Sequence, residues 1–226
     1  MLDSLAMVRT PRWARKIFRR AWWQLPTTEK VIYLTFDDGP QEAVTDKVLD
    51  LLYQYQAKAT FFCIGKNAEE NPELLHRVIA DGHAIGNHTQ QHLNGWKTQW
   101  QEYLQDVRQG EATLRNLAPH ALGERPLFRP PYGKLTFAQY NALKRRNQVV
   151  MWDVLTCDYD PKVTPETVLA NAMRHIQSGS IVVFHDSVKA SKNMLYALPQ
   201  VLKHFSEKGY RFKALPPETT AGHSRL

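Results

Sequence analysis

From residue 30 onward, short apolar runs alternate with stretches whose apolar residues recur at helical spacing. The run 31–36, Val-Ile-Tyr-Leu-Thr-Phe, is β-branched and aromatic and ends in Asp-Asp-Gly-Pro, which reads as a buried strand stopped by a turn. Similar runs predict strands at 58–64, 83–87, 127–129, 149–152, 180–184 and 210–212. Between them, apolar positions three and four apart predict helices near 43–55, 72–81, 97–117, 136–146, 165–177 and 190–207, two of which open on Pro72 and Pro165. Repetition of this kind builds a parallel sheet with crossover helices. About seven such units in one α/β domain fit an irregular barrel better than two small domains. Barrel chemistry collects where the strands end.

Residues 1–29 form a separate arm in this reading, 30–215 the domain, and 216–226 a loose polar tail. Within the arm, Ala14, Ile17, Phe18, Ala21 and Trp22 fall on one face of a helix over 12–23, and Arg12, Arg15, Lys16, Arg19 and Arg20 on the other. Such a helix either packs its apolar side on the domain or lies on an anionic membrane surface. The chain's net charge of +7 is concentrated here. Residues 1–30 hold seven basic and two acidic side chains, whereas the remaining 196 hold 22 and 20. A nearly neutral body without a basic, aromatic surface motif argues against a nucleic-acid partner. The first eight residues do not make a secretory signal, and no apolar run is long enough to span a membrane, so a cytoplasmic location is the default expectation. Two cysteines, Cys63 and Cys157, are too few for a metal cluster or a disulfide framework and mildly favour a reduced compartment. Nothing in the sequence bears on oligomeric state.

The polar residues at the predicted strand ends carry the chemistry. Asp37 and Asp38 follow the first strand, and adjacent carboxylates are costly to bury unless a cation neutralises one. The Gly39-Pro40 turn breaks the strand's alternation, so both side chains can face one site. His88 and His92 are four apart, a spacing that puts both imidazoles on one side of a helical turn within reach of one ion. Two histidines and a carboxylate leave positions open for water and substrate. Arg129 precedes Pro130-Pro131-Tyr132-Gly133, where the prolines stiffen the loop, and an arginine can hold a carboxylate through paired hydrogen bonds. Asp153 and Asp158-Tyr159 follow the strand ending at Trp152. His185-Asp186 follows Phe184, and a histidine there can give or take a proton. Each has a plainer reading, as turn carboxylate, surface arginine or satisfied core histidine. Their convergence at strand ends is what a hydrolytic metal site requires.

These segments resemble the five motifs of the polysaccharide deacetylases, the NodB-type domain of carbohydrate esterase family 4, over most of residues 30–215. The motifs are Thr35-Phe-Asp-Asp-Gly-Pro40, His88-Thr-x-x-His92, Arg129-Pro-Pro-Tyr132, Asp158-Tyr159 and Val183-Phe184-His185. The resemblance implies a deformed (β/α) barrel and a divalent ion, usually zinc, on Asp38, His88 and His92. It implies Asp37 as general base, His185 as general acid, Arg129 as the group that sets Asp37, and Asp158 as the group that orients His185. The Tyr132 backbone N–H would help hold an oxyanion, and Pro131, Tyr159 and Val183 would shape the substrate pocket. Tyr159 stands where the family usually has tryptophan and Val183 where it has leucine. The expected activity is removal of N-acetyl groups from a sugar, foremost N-acetylglucosamine in peptidoglycan or a chitin-like oligosaccharide. O-acetyl esterase activity and an inactive glycan-binding module are the alternatives.

Overall fold

The computed structural model describes residue 8 and residues 12–217. Strands β1 (Val31–Asp37), β2 (Ala59–Cys63), β3 (Ala84–Asn87), β4 (Leu127–Phe128), β5 (Gln148–Val149), β6 (Val154–Leu155) and β7 (Ile181–His185) pair in the order β5-β4-β3-β2-β1-β7-β6. All pairings are parallel, and a short β8 (Arg211–Phe212) pairs with the start of β1. The sheet curls into a deformed half-barrel whose connections include helices α2 (Thr45–Gln54), α3 (Gly65–Glu70), α4 (Pro72–Ala80), α5 (Trp100–Leu117), α6 (Phe137–Leu143), α7 (Pro165–His175) and α8 (Ser191–Glu207).

Two-residue alternation along β1 decides what faces what. Ile32, Leu34 and Phe36 join the main core cluster together with α2, α4, α7 and α8. Phe36 stacks on Phe61 of β2 at 5.0 Å and on Phe184 of β7 at 6.1 Å, contacts that stabilise by about 0.5–1.5 kcal/mol each beyond their burial. Tyr33 packs instead with Phe62, Leu127, Val150 and Ile181. Thr35 and Asp37 share the side of Tyr33, which puts the last residue of β1 beside the groove. The register pairs Asp37 with Phe62 on one side and His185 on the other.

Most predicted elements are present with ends shifted by a few residues. Two were missed. α3, Gly-Lys-Asn-Ala-Glu-Glu, has no apolar stripe, and β6 is two residues long. The strand expected over 149–152 is shorter, Gln148–Val149, and Trp22 bridges Val150 beside it: its N–H donates to the Val149 carbonyl at 2.9 Å and its carbonyl accepts from Met151 N–H at 2.7 Å. Gln24 then bridges Ser180. The segment 22–25 thus lies across the seam between β5 and the start of β7.

The helix expected over 12–23 is shorter, α1 (Arg12–Ile17). After it, Phe18 packs on Tyr140 with ring centroids 4.6 Å apart, Ala21 and Trp23 are buried, and Trp22 packs beside Val150. Much of the arm's apolar surface is thus spent on the domain, although Ile17 stays exposed. No helix among the described residues is long and apolar enough to cross a membrane. Cys63 and Cys157 are free and buried. Residues 1–7 and 9–11 lie outside the described residues, as does the tail from 218.

The seam rests on Gly179. Its φ is +81°, Leu25 N–H donates to its carbonyl at 2.9 Å, and a Cβ there would meet the Leu25 carbonyl oxygen at 2.1 Å. Gly179→Ala should therefore lower the unfolding free energy by about 2–4 kcal/mol, from about 1–2 for left-handed backbone and about 1–2 for the displaced hydrogen bond. Urea denaturation measures it, and an unchanged midpoint would show that the seam is not strained by the substitution.

Candidate active site

Asp37, Asp38, His88, His92, Tyr132, Tyr159, Val183 and His185 line one groove of about 410 Å³ at the C-terminal strand ends. Asp37 leaves β1 on the inner side. Asp38 follows with φ +82°, a left-handed backbone that ends the alternation and lets two successive carboxylates reach the same groove. The turn is held from β7. Gly39 N–H donates to Asp186 Oδ1 at 3.0 Å and Thr45 Oγ1 donates to Oδ2 at 2.7 Å. A Cβ on residue 39 would sit 2.0 Å from Asp186, so this position requires glycine. Burial raises the Asp186 carboxyl to about 7.

Arg129, at the end of β4, is fully buried. Its Nη1 donates to Asp37 Oδ1 and to Thr35 Oγ1, each at 2.7 Å, and its Nη2 donates to the Met151 carbonyl at 3.0 Å. The guanidinium lies 4.1 Å from the Phe62 ring centroid. This charge behind Asp37 answers the cost of burying a carboxylate at a strand end.

His88 and His92 converge, but through an irregular loop and not the helical turn expected from their spacing. Thr89 and His92 have φ values of +68° and +57°. Left-handed residues of this kind are costly and concentrate at sites that the surrounding structure over-determines. The bracing is visible. Asn87 Oδ1 accepts from Thr89 N–H at 2.8 Å while its amide donates to the Val107 carbonyl, and Asp106 Oδ2 accepts from the N–H groups of Gln90 and Gln91. His88 Nδ1 donates to the Arg129 carbonyl at 2.7 Å, which leaves Nε2 as a lone pair toward Asp38. Burial lowers His88 to about 4, so its imidazole is neutral, the form that binds metals.

The ligand atoms of Asp38, His88 and His92 lie within 4.8 Å of one another. Asp38 Oδ1 is buried with no well-formed hydrogen bond, 3.2 Å from His92 Nε2 and 3.8 Å from His88 Nε2. Burial opposes its charge, but His92, His185 and His88 hold the carboxyl well below the usual carboxylate range. An orphaned carboxylate oxygen facing two ring nitrogens is a donor set that fits a divalent cation.

On the opposite flank, His185 Nδ1 donates to Asp158 Oδ1 and its backbone N–H donates to Oδ2, each at 2.7 Å. Burial works against the imidazolium, but Asp158 outweighs it, with smaller help from Asp38 and Asp37, and raises His185 to about 9. Tyr159 meets the His185 ring edge-on at 4.9 Å. Tyr132 has φ +59° and packs on His92 at 4.7 Å.

Of the pocket residues expected from sequence, Tyr159 and Val183 line the groove. Pro131 is buried in the 3₁₀ turn Pro131–Gly133, and Pro130 lines the groove instead. Asp153 belongs elsewhere: it accepts from Ser180 Oγ and Ile181 N–H, at 2.9 and 2.8 Å, and fixes the start of β7. Sequence reasoning missed Asn87 and Asp106 as braces and Asp186 as an anchor. The only signal for Asn87 was a polar residue closing a strand. Asp106 sits in a helix of mostly polar residues, where nothing set it apart.

The sequence pattern of the polysaccharide deacetylase family matches residues 24–149, more than half of the chain, and the protein belongs to that family. It is 36% identical over 195 residues to a peptidoglycan-N-acetylglucosamine deacetylase of Bacillus cereus, covering 84% of this chain and 88% of that one. It is 34% identical to a chitooligosaccharide deacetylase of Bradyrhizobium, covering 74% of this chain and 75% of the other. The solved structure of the Bc1960 peptidoglycan N-acetylglucosamine deacetylase superposes with a TM-score of 0.82 at 33% identity, covering 96% of this chain and all of that one.

The His185 environment predicts its own titration. In metal-free protein, NMR should find the wild-type imidazole protonated at neutral pH and losing its proton near 9. Asp158→Asn removes the contact that raises it while burial remains, so the titration should move toward or below the ordinary value of about 6.5. A midpoint unmoved in that variant would contradict the assignment.

Proposed function

We propose that the protein hydrolyses the N-acetyl group of N-acetylglucosamine units in a glycan, with zinc as its cation. The observation that carries the reading is one groove holding a fitting cation set, a carboxylate backed by a buried arginine and an imidazolium backed by a buried aspartate. Relatives acting on peptidoglycan and on chitooligosaccharides supply the substrate class.

Amide hydrolysis needs an activated water, a stabilised oxyanion and a protonated amine leaving group. A divalent cation held by Asp38, His88 and His92 would lower the pKa of water and polarise the acetyl carbonyl. Asp37 accepts the proton of the attacking water. Arg129 Nη1, donating to Asp37 Oδ1 at 2.7 Å, fixes where that carboxylate stands. The Tyr132 backbone N–H donates to the developing oxyanion. His185, charged and oriented by Asp158, gives its proton to the departing sugar nitrogen. An amine leaving group requires that proton more than an alkoxide does, because an unprotonated amide anion is the poorer leaving group. The N-deacetylase relatives favour this reading over the O-acetyl esterase alternative.

The test is acetate release from N-acetylglucosamine oligomers and from peptidoglycan glycan strands, with and without a chelator. Release that stops on chelation and returns with zinc is expected. No release from any N-acetylated glycan by zinc-loaded protein would favour an inactive glycan-binding module.

A further inference from the structure

Two cationic side chains line the groove without a hydrolytic role. Lys134 follows the 3₁₀ turn that places Tyr132 on His92, and Lys189 follows β7 with its ammonium 5.9 Å from the Tyr159 ring centroid. One therefore stands on the flank of the metal-site histidines and the other on the flank of His185. Asp37 is committed to Arg129 and Asp38 to the cation set. Neither lysine makes an ion pair among the described residues. A cleft edged by unpaired charge of one sign concentrates ligands of the other.

Beside Lys134 stands Trp96, 64% exposed yet rigidly held. Its indole N–H donates to the Leu135 carbonyl and its backbone N–H to Asn94 Oδ1, both at 3.0 Å. The Gln139 amide donates to the Gly95 carbonyl at 2.9 Å. A Cβ on Gly95 would lie 2.3 Å from the Lys134 carbonyl oxygen, so the two loops touch backbone to backbone. The Lys134 ammonium is 5.3 Å from the Trp96 ring centroid. A fixed, open indole suits the polarised C–H face of a pyranose, since its π face is negative. With an ammonium at the same spot, the surface suits a sugar that also carries an anion.

We propose that Lys134, with Trp96, and Lys189 read carboxylates on the sugars flanking the N-acetylated target, so that the substrate is an acidic glycan. A strand in which the target alternates with sugars bearing a lactyl-type carboxylate presents one anion on each side, matching one lysine on each flank. A neutral homopolymer of N-acetylglucosamine presents none. This inference rests on the deacetylase reading above.

The test compares zinc-loaded full-length protein on soluble, uncrosslinked glycan strands with free lactyl carboxylates and on the same strands after amidation. Turnover and calorimetric binding are measured at low and high salt. Exposed ion pairs of this kind are worth roughly two- to fivefold each, so free-carboxylate strands should be favoured by about four- to 25-fold, chiefly through KM, and salt should shrink the preference. Lys134→Gln and Lys189→Gln should each reduce the ratio of kcat/KM between free and amidated strands by roughly two- to fivefold. Trp96→Ala should weaken binding of both strands. A wild-type ratio near one, or a ratio unchanged in the folded double lysine variant, overturns the proposal. If no strand releases acetate but free-carboxylate strands still bind more tightly than amidated ones, the deacetylase reading fails and the acidic-glycan inference stands. Equal affinity for the two strands overturns it whatever the turnover.

Discussion

The buried ion pair between Arg129 and Asp37 is the contact on which the site depends. A carboxylate at the end of a barrel strand faces an apolar interior on one side, built here by Tyr33, Phe62 and Val150. Without a cation behind it, a carboxylate buried there would be costly. Arg129 supplies that cation from β4, three strands away in the sheet. The arginine's two Nη groups are held by Asp37, Thr35 Oγ1 and the Met151 carbonyl, and its plane lies over the Phe62 ring. Thr35 in turn donates to the Val182 carbonyl of β7. Five of the strand ends and loops that surround the groove are thereby tied through one guanidinium. Such a pair adds little net stability, but removing one partner typically costs about 3–5 kcal/mol because the other charge stays buried.

The two neighbouring aspartates stand in different surroundings. Asp37 lies in the regular strand and meets the arginine. Asp38 lies one residue on, in left-handed backbone, and its Oδ1 faces the two histidines. The Asp186 anchor and the glycine at 39 keep that turn closed against β7. His185 reaches the groove because the β1–β7 register sets it beside Asp37, and Asp158 behind it keeps it charged. His185 and Asp37 thus stand on adjacent strands, each with its own buried partner, Asp158 and Arg129.

Much of this could be read from the chain. The apolar runs before Asp37, His88, Arg129 and His185 located the strand ends, and the residue types there indicated metal and proton chemistry. What could not be read depends on contacts between distant segments. The spacing of His88 and His92 implied a helical turn, whereas Asn87 and Asp106 hold a left-handed loop whose stability comes from α5. Asp153 and Asp158 looked alike as turn carboxylates, yet one pins Ser180 and the other His185. The arm read as an amphipathic helix that packs on the domain or lies on a membrane surface, and no local pattern signals that Trp22 and Gln24 bridge the seam. β6 was invisible for the same reason: two residues carry no period, and their pairing with β7 is a tertiary fact.

The proposed division of labour between the two aspartates is most directly tested by titrating zinc into Asp37→Asn and Asp38→Asn and measuring turnover of each. Loss of a general base costs about 10²–10⁴-fold in rate without loss of metal. Asp37→Asn should bind zinc about as well as wild type and be nearly inactive, whereas Asp38→Asn should lose affinity and recover part of its activity in excess zinc. Zinc weakened equally in both variants, or wild-type turnover in Asp37→Asn, would contradict the account.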